Sequence, residues 1–581
     1  MSSLGSQWRV IRHYLSLTNL NSEVEKLIQK VKPATPEQWE NLLKRLEKAI
    51  SVHMSSTTAI EKPQTENQQN IVNTSTIEET AEKAIVKEPK PQLKKEEKLS
   101  SDGLVVGSEA KDITLESLWQ GLKLKKDLHF GNISQPSWKS SKPVVTKTSI
   151  HSRTAYVISA LVAADSAESA LRRTDSFIDH LKQYPEARDY AIKEGAVRAL
   201  LRVQHRLSAG DGCELRGAVS EALALVGHCG PTRGPGPAIL SLDGGGIRGL
   251  IAIDVLKQLE RLTGRKVSEM FDYIIGVSTG AIIASVIGSG IGTLDTAQEM
   301  YTTLAKQMFG NTSLIGGASR LVWSQSYYDT AAWEALLRAH LRDCELSQCN
   351  RHHAPKMALV SCVMNSGARV SPFLFRTYEC GFRTRPAFPG TARARVWHAV
   401  RASAAAPAYF NEFRLRGLLL QDGGVVCNNP AGVGLHEARL LFGADSIAQA
   451  TVVSVGTGKP LQNQKDYTML APSEAASTSW REKFNKILDS ATDTEGVHQM
   501  LNDLLPAESY FRFNPPLMAP CAMDEVDDRK LAALRADTEA YIRRNQHKFE
   551  RAAARLTRPR PLHRRLQDAL RRRALLLGLA D

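Results

Sequence analysis

AILSLDGGGIRG, residues 238–249, and FDYIIGVSTGAIIASVIG, residues 271–288, decide the fold. In each, a short apolar run enters a glycine turn and leaves it as a helix. Ala238 to Leu242 reads as a buried strand, and Ile251, Val255, Leu259 and Leu262 mark one face of the helix that follows. Phe271 to Ile275 is a second strand, and Ala281 to Ile287 opens a second helix. Residues 273–292 are uncharged and long enough to suggest a membrane span. Five glycines and a GxSxG motif break that run into strand, turn and helix, so no transmembrane helix is predicted. Further apolar runs at Met357–Val363, Leu418–Leu420 and Thr451–Val455 add strands. Strands alternating with amphipathic helices predict an α/β domain of three layers, α/β/α.

On the N-terminal side, residues 149–229 are rich in Ala, Leu and Arg. Leu215, Val219, Leu223 and Val226 fall on one helical face. The run from Gly195 to Leu201 is similar to the helix start of an armadillo repeat, so a small all-α, armadillo-like domain is expected here, linked through Gly230 to Pro237. Residues 23–148 are mostly Glu, Lys, Gln, Ser, Thr and Pro, too polar to offset chain entropy, and are expected to be largely disordered. They hold one short helix at 35–50, with Thr35 as its cap and Pro36 in its first turn. The first 22 residues lack acids and carry Arg9 and Arg12 among serines, the composition of a mitochondrial transit segment. The catalytic core is expected over 238–433, its C-terminal part over 434–542, and a basic tail over 543–581.

Three glycine turns carry the candidate chemistry. Gly276-Val277-Ser278-Thr279-Gly280 is GxSxG between strand and helix, where a sharp turn lifts the serine out of the sheet. Alone it is weak, since chance supplies roughly 0.2 matches in a chain this long. Asp243 to Gly249 places Gly244, Gly245 and Gly246 in succession, so that backbone N–H groups can converge on one oxyanion. Arg248 adds positive charge for an oxyanion or a phosphate. The same residues spell GxGxxG, the loop of a nucleotide-binding protein, which would want an acidic residue at the end of the next strand. Glu269 and Asp272 lie before that strand or at its start instead. Asp422-Gly423-Gly424 follows Leu418–Leu420, and a buried carboxylate there could take the proton of Ser278. A triad through His398 or His436 is the alternative, although neither histidine sits in a glycine turn.

Taken in order, the glycine loop, GxSxG and DGG resemble the patatin-like phospholipase family. The likeness extends through WSQSYYDT (323–330), VWHAVRASAAAPAYF (396–410), QDGGVVCNNP (421–430) and YFRFNPP (510–516), which are similar to the calcium-independent phospholipases A2 of the gamma type. The resemblance implies Ser278 as nucleophile, Asp422 as base and oxyanion donors at Gly244, Gly245 and Gly246. It also implies hydrolysis of fatty-acyl esters in membrane glycerophospholipids, with no metal and no organic cofactor. The acidic stretch at 493–496 fails the EF-hand pattern, which agrees with calcium independence.

Charge narrows the partners. Twelve Lys and Arg lie between Arg543 and Arg573 against Glu550 and Asp568, ten of the chain's fourteen net positive charges. Leucines alternate with those arginines, which suits an anionic lipid surface better than nucleic acid. The eight cysteines include no CxxC pair, so neither a disulfide framework nor a zinc site is expected, Cys344, Cys349, His352 and His353 included. An intracellular, membrane-associated protein follows, at the mitochondrion or, alternatively, the endoplasmic reticulum. The C-terminal Leu579-Ala580-Asp581 is not a peroxisomal Ser-Lys-Leu signal. The rival classes are a nucleotide-binding protein and a non-catalytic lipid-binding scaffold.

Overall fold

The computed structural model describes residues 145–207, 212–309, 328–341, 343–352, 354–381, 384–407, 409–460 and 494–579. The expectations for 1–22 and 23–148, the stretch 323–327 and His353 lie outside the described residues.

A mixed sheet organises the chain. Its strands are β1 (Ala238–Leu242), β2 (Tyr273–Val277), β3 (Lys356–Val363), β4 (Ser371–Arg376), β5 (Gly390–Thr391), β6 (Phe413–Leu415), β7 (Leu418–Asp422), β8 (Thr451–Val455), β9 (Lys459–Pro460) and β10 (Tyr510–Phe513). The order is β10-β8-β1-β2-β3-β4-β5, with β7 and β6 branching from β3 and β9 outside this sheet. β10, β8, β1, β2 and β3 run parallel, whereas β4 and β7 are antiparallel to β3.

Alternation along the strands builds two cores. Leu240, Leu242, Ile274 and Val453 face one cluster with the helices Gly249–Thr263 and Thr279–Gly288. Ile239, Tyr273, Ile275 and Val452 face the other, with Ala438 on the helix Ala431–Phe442. Because successive side chains on a strand point to opposite faces, continuous apolar runs mean a sheet covered on both sides. The three-layer α/β/α architecture is therefore present, and β8 and β10 complete it. Within the range 434–542, Thr451–Val455 and Tyr510–Phe513 are thus an integral part of the sheet layer.

The helices Lys147–Val162, Ala167–Gln183, Ala187–Lys193, Ala196–Arg206 and Cys213–Leu225 form a separate core around Phe177, Leu200 and Val219. Gly195, at φ 83°, starts the fourth of them. This layer joins the sheet domain in one compact unit, Pro143–Asp581. Glu221, fully buried, accepts from Ser347 Oγ at 2.8 Å and Arg351 Nε at 2.5 Å, and pairs with Lys182 at 2.8 Å. Ala224 O accepts from Glu379 N, beyond the end of β4. The antiparallel β4 ends beside the start of β3, so the helical layer caps the end of the sheet where the parallel strands begin.

The expected basic tail differs. The helix Gln546–Leu556 buries Phe549, Ala552 and Leu556 in the main core, with Phe549 stacked on Phe513 at 4.2 Å. The helix Leu562–Leu577 lays Leu575 and Leu576 on the helical layer, and Arg202 donates to Leu576 O. A count of charges misses this, because the 3.6-residue period turns the apolar side chains inward while the arginines stay wet. Among the described residues no helix is long and apolar enough to cross a membrane.

Candidate active site

β2 and β7 meet end to end along one edge of β3. β2 pairs with β3 as far as Val277–Val360, and the antiparallel β7 takes over the same edge at Asp422–Ser361. Ser278 follows the last residue of β2, so the register itself brings Ser278 and Asp422 face to face. Ser278 Oγ donates to Asp422 Oδ2 at 2.7 Å. Gly424 N donates to Asp422 Oδ1 at 2.7 Å, which fixes the carboxylate's second oxygen.

The turn at Ser278 is strained. Its φ of 52° and ψ of −116° lie where side-chain-bearing residues are rare. A Cβ on Gly276 would stand 2.3 Å from Gly280 O, and one on Gly280 would stand 2.3 Å from Leu242 O, so both outer glycines of GxSxG are steric requirements. Ser403 braces the turn: its Oγ accepts from Ser278 N at 2.9 Å and donates to Val360 O at 2.5 Å.

The glycine loop lies against the hydrogen-bonded Ser278 and Asp422. A Cβ on Gly244 would come within 3.2 Å of Ser278 Cβ. Thr457 Oγ donates to Gly244 O at 2.8 Å and Thr279 Oγ to Gly246 O at 2.8 Å, which turns these carbonyls away from the serine. Gly244 N donates to Asn428 O at 3.3 Å, whereas among the described residues no acceptor takes the N–H of Gly245 or Gly246. Arg248 donates through Nε to Gly245 O at 3.1 Å and is without a carboxylate partner among the described residues. Asp243, which starts the loop, is anchored from below by Arg512 at 2.7 Å.

Burial sets the electrostatics. Asp422 is 5% exposed, and desolvation pushes its carboxyl up to about 6 against the opposing hydrogen bonds from Ser278 and Gly424. Burial lowers the Arg248 guanidinium from its usual value without discharging it. Ser278, Asp422, the three glycines and Arg248 line one cavity of about 360 Å³, walled by Ile282, Leu304, Trp333 and Phe410. That volume is typical of small-molecule sites. An unclaimed N–H pair, an acidic acceptor near neutrality and an apolar wall can stabilise an oxyanion, take a hydroxyl proton and hold an acyl chain.

The other expectations fall elsewhere. His398 packs between Trp397 and Phe413, and His436 makes an edge contact with Phe388; neither lines the cavity. Asp272, at the start of the second strand and not at the end that the nucleotide reading requires, accepts from Ala238 N and Arg233 N at the opposite end of β1 from the glycine loop. Cys349 is buried with its thiol on Glu345 O, and among the described residues no three His, Cys, Asp or Glu are grouped to hold a metal ion. Sequence reasoning missed Ser403 and Thr457. Ser403 stood in the quoted run 396–410 without a role, and Thr457 follows β8 with no local signal.

A strained serine turn between strand and helix, beside a glycine loop and an aspartate from an antiparallel strand, defines a class. A profile of the patatin-like phospholipases matches residues 240–435, so this part of the chain is a patatin-like domain. The chain is 35% identical over 426 residues, 73% of its length, to calcium-independent phospholipase A2-gamma of Oryctolagus cuniculus, covering 52% of that protein. It is 30% identical over 56% of its length to phospholipase A I of Arabidopsis thaliana, covering 28% of it. The cGAMP-activated phospholipase of Pseudomonas aeruginosa is 29% identical over 38% of the chain and is covered over 62%. The chain thus spans about half the length of its gamma-type relatives.

Proposed function

We propose that the protein is a calcium-independent phospholipase that hydrolyses fatty-acyl esters of membrane glycerophospholipids, and that Ser278 and Asp422 carry the chemistry. The 2.7 Å hydrogen bond between them, beside the unclaimed N–H groups of Gly245 and Gly246, is the observation that supports it. Asp422 takes the Ser278 proton as Oγ bonds to the ester carbonyl carbon. Gly245 and Gly246 donate to the oxyanion, with Gly244 shaping the loop. The ester C–O bond then breaks, Asp422 returns the proton to the leaving alkoxide, and a lysophospholipid departs. Water gives a proton to Asp422 and attacks the acyl-enzyme; the fatty acid leaves and Ser278 regains its proton. No step uses a metal or an organic cofactor.

Arg248, with no carboxylate partner among the described residues, is the group for the lipid phosphate. Exposed Met523, among the residues that line the cavity, is the lip assigned to the bilayer. A second, anionic-surface contact falls to the helix Leu562–Leu577, whose Leu562, Leu566, Leu570 and Leu577 are exposed among arginines. Leu566→Glu with Leu570→Glu should weaken retention on cardiolipin-rich vesicles; unchanged retention would remove this contact. Truncation is the poorer test, since it strips Leu575 and Leu576 from the helical core. A mitochondrial site rests on the acid-free residues 1–22 and is tested by import of that segment fused to a fluorescent protein.

The deciding experiment is product analysis on phosphatidylcholine with different acyl chains at its two positions, run beside His398→Ala and His436→Ala. Release of free fatty acid by wild type and both histidine variants is expected. Loss in a histidine variant with a mild Asp422→Asn would replace the dyad by a triad.

A further inference from the structure

A second concave site lies at the opposite end of the sheet. It is a cleft of about 540 Å³ against Ala238 and Thr451, where β1 and β8 begin. Ser278 follows the far end of β2. From Ala238 to Leu242 the strand advances roughly 13 Å at its usual rise per residue, before the glycine loop begins. The cleft shares no lining residue with the Ser278 cavity.

Its walls are arginines. Arg265, Arg555, Arg558 and Arg565 line it, and among the described residues none of these four guanidinium groups has a hydrogen-bonded or ion-paired partner. The two acids of the lining are already engaged. Asp568 is held by Arg560 at 2.5 and 2.9 Å, and Glu269 accepts from Lys266 N at 3.1 Å. Arg560 also donates to Gly234 O at 2.9 Å and to Thr232, so the link between the last two helices is pinned to the segment that enters β1. Pro559 and Pro561 flank it and restrict the backbone there. Arg558 and Arg565, on either side of this link, are thus carried by a preformed frame.

We infer that this cleft binds a compact anion carrying two or more phosphate groups. Four like charges converging on one cavity repel each other, and a multivalent anion relieves that repulsion while a monovalent one does so only in part. Guanidinium groups match phosphate oxygens two at a time. Among the described residues no aromatic side chain lines the cleft to give a base a platform for stacking, which favours the phosphates themselves over a nucleotide. The shared chemistry could come from a soluble polyphosphorylated molecule or from a phosphorylated lipid headgroup.

The test titrates inorganic tripolyphosphate into the whole chain by calorimetry at low ionic strength. One saturable site is expected. Arg558→Ala with Arg565→Ala should weaken it at least about ten-fold, the loss of charge-assisted hydrogen bonds at two guanidiniums. Arg571→Ala with Arg573→Ala, which removes the same charge from the helix that carries Arg565 but outside the cleft, should leave affinity within about two-fold. Both variants should melt with wild type and hydrolyse a soluble ester at its rate. Wild type that shows no saturable binding, or a control pair that loses as much as the cleft pair, overturns the site. Vesicles of phosphatidylcholine with phosphatidylinositol bisphosphate identify the source. Retention that tripolyphosphate displaces and the cleft variant lacks assigns a lipid headgroup; tripolyphosphate binding without retention assigns a soluble anion.

Discussion

Replacing Asp422 by Asn should inactivate the enzyme and stabilise the fold at the same time. The carboxyl is buried, and its pKa stands at about 6 in the folded protein against 3.8 as a free group. Each pKa unit corresponds to about 1.4 kcal/mol, so keeping Asp422 ionised in the fold costs about 3 kcal/mol at pH 7.5. The sign follows from proton counts. Between pH 4 and 6 the folded state binds the proton that the unfolded chain has lost, so this group makes stability fall as pH rises through that window. Asn carries no charge to desolvate; its carbonyl can still accept from Gly424 N, and its amide can donate to Ser278 Oγ. Urea unfolding of Asp422→Asn at pH 7.5 should therefore show a gain of about 1–3 kcal/mol, which shrinks at pH 5 as wild type takes up its proton. Turnover should drop at least ~10²-fold, the low end for losing a general base. A variant less stable than wild type at pH 7.5, or a stability difference that ignores pH, would refute this account of the carboxylate.

Ser278→Ala should abolish fluorophosphonate labelling and ester hydrolysis with the circular dichroism spectrum unchanged; persistent labelling would place the nucleophile elsewhere. On a soluble ester, kcat/KM should rise with pH through about 6 as Asp422 loses its proton, then stay flat to pH 8, a profile read from initial rates. Gly245→Ala puts a Cβ 2.1 Å from Thr457 Oγ and must shift the loop, so kcat should fall about 10²-fold or more, as for a lost oxyanion donor. Activity should survive excess chelator; loss that calcium restores would contradict a metal-free mechanism.

Much of this was legible before any coordinates. The runs at 238–242, 357–363 and 451–455 matched observed strands within a residue, because continuous apolar segments between glycine turns have few other stable uses. The second strand, expected over 271–275, runs over 273–277, since Phe271 N closes the preceding turn on Val267 O and the bonds to β1 and β3 begin only at Asp272. β4 and β10 are not legible as strands, their apolar runs being short and ended by Arg376 in the one and interrupted by Arg512 in the other. Arg512 on β10 is buried against Asp243, and only the partner makes that charge tolerable in the core.

The local chemistry of the site belonged to the sequence itself. GxSxG between strand and helix, three successive glycines and an aspartate at a strand's end are short-range features, dictated by steric limits within a few residues. Their convergence was not. Ser278 and Asp422 are separated by 144 residues and meet because β2 and β7 share one edge of β3, a register that hydrogen-bonding between distant strands decides. The same holds for the carboxyl's pKa, which burial sets, and for residues 543–581. Their arginines suggested a free basic tail, yet Phe549 and Leu576 found apolar partners hundreds of residues away. Composition records which side chains could be buried; only the packed chain determines against what.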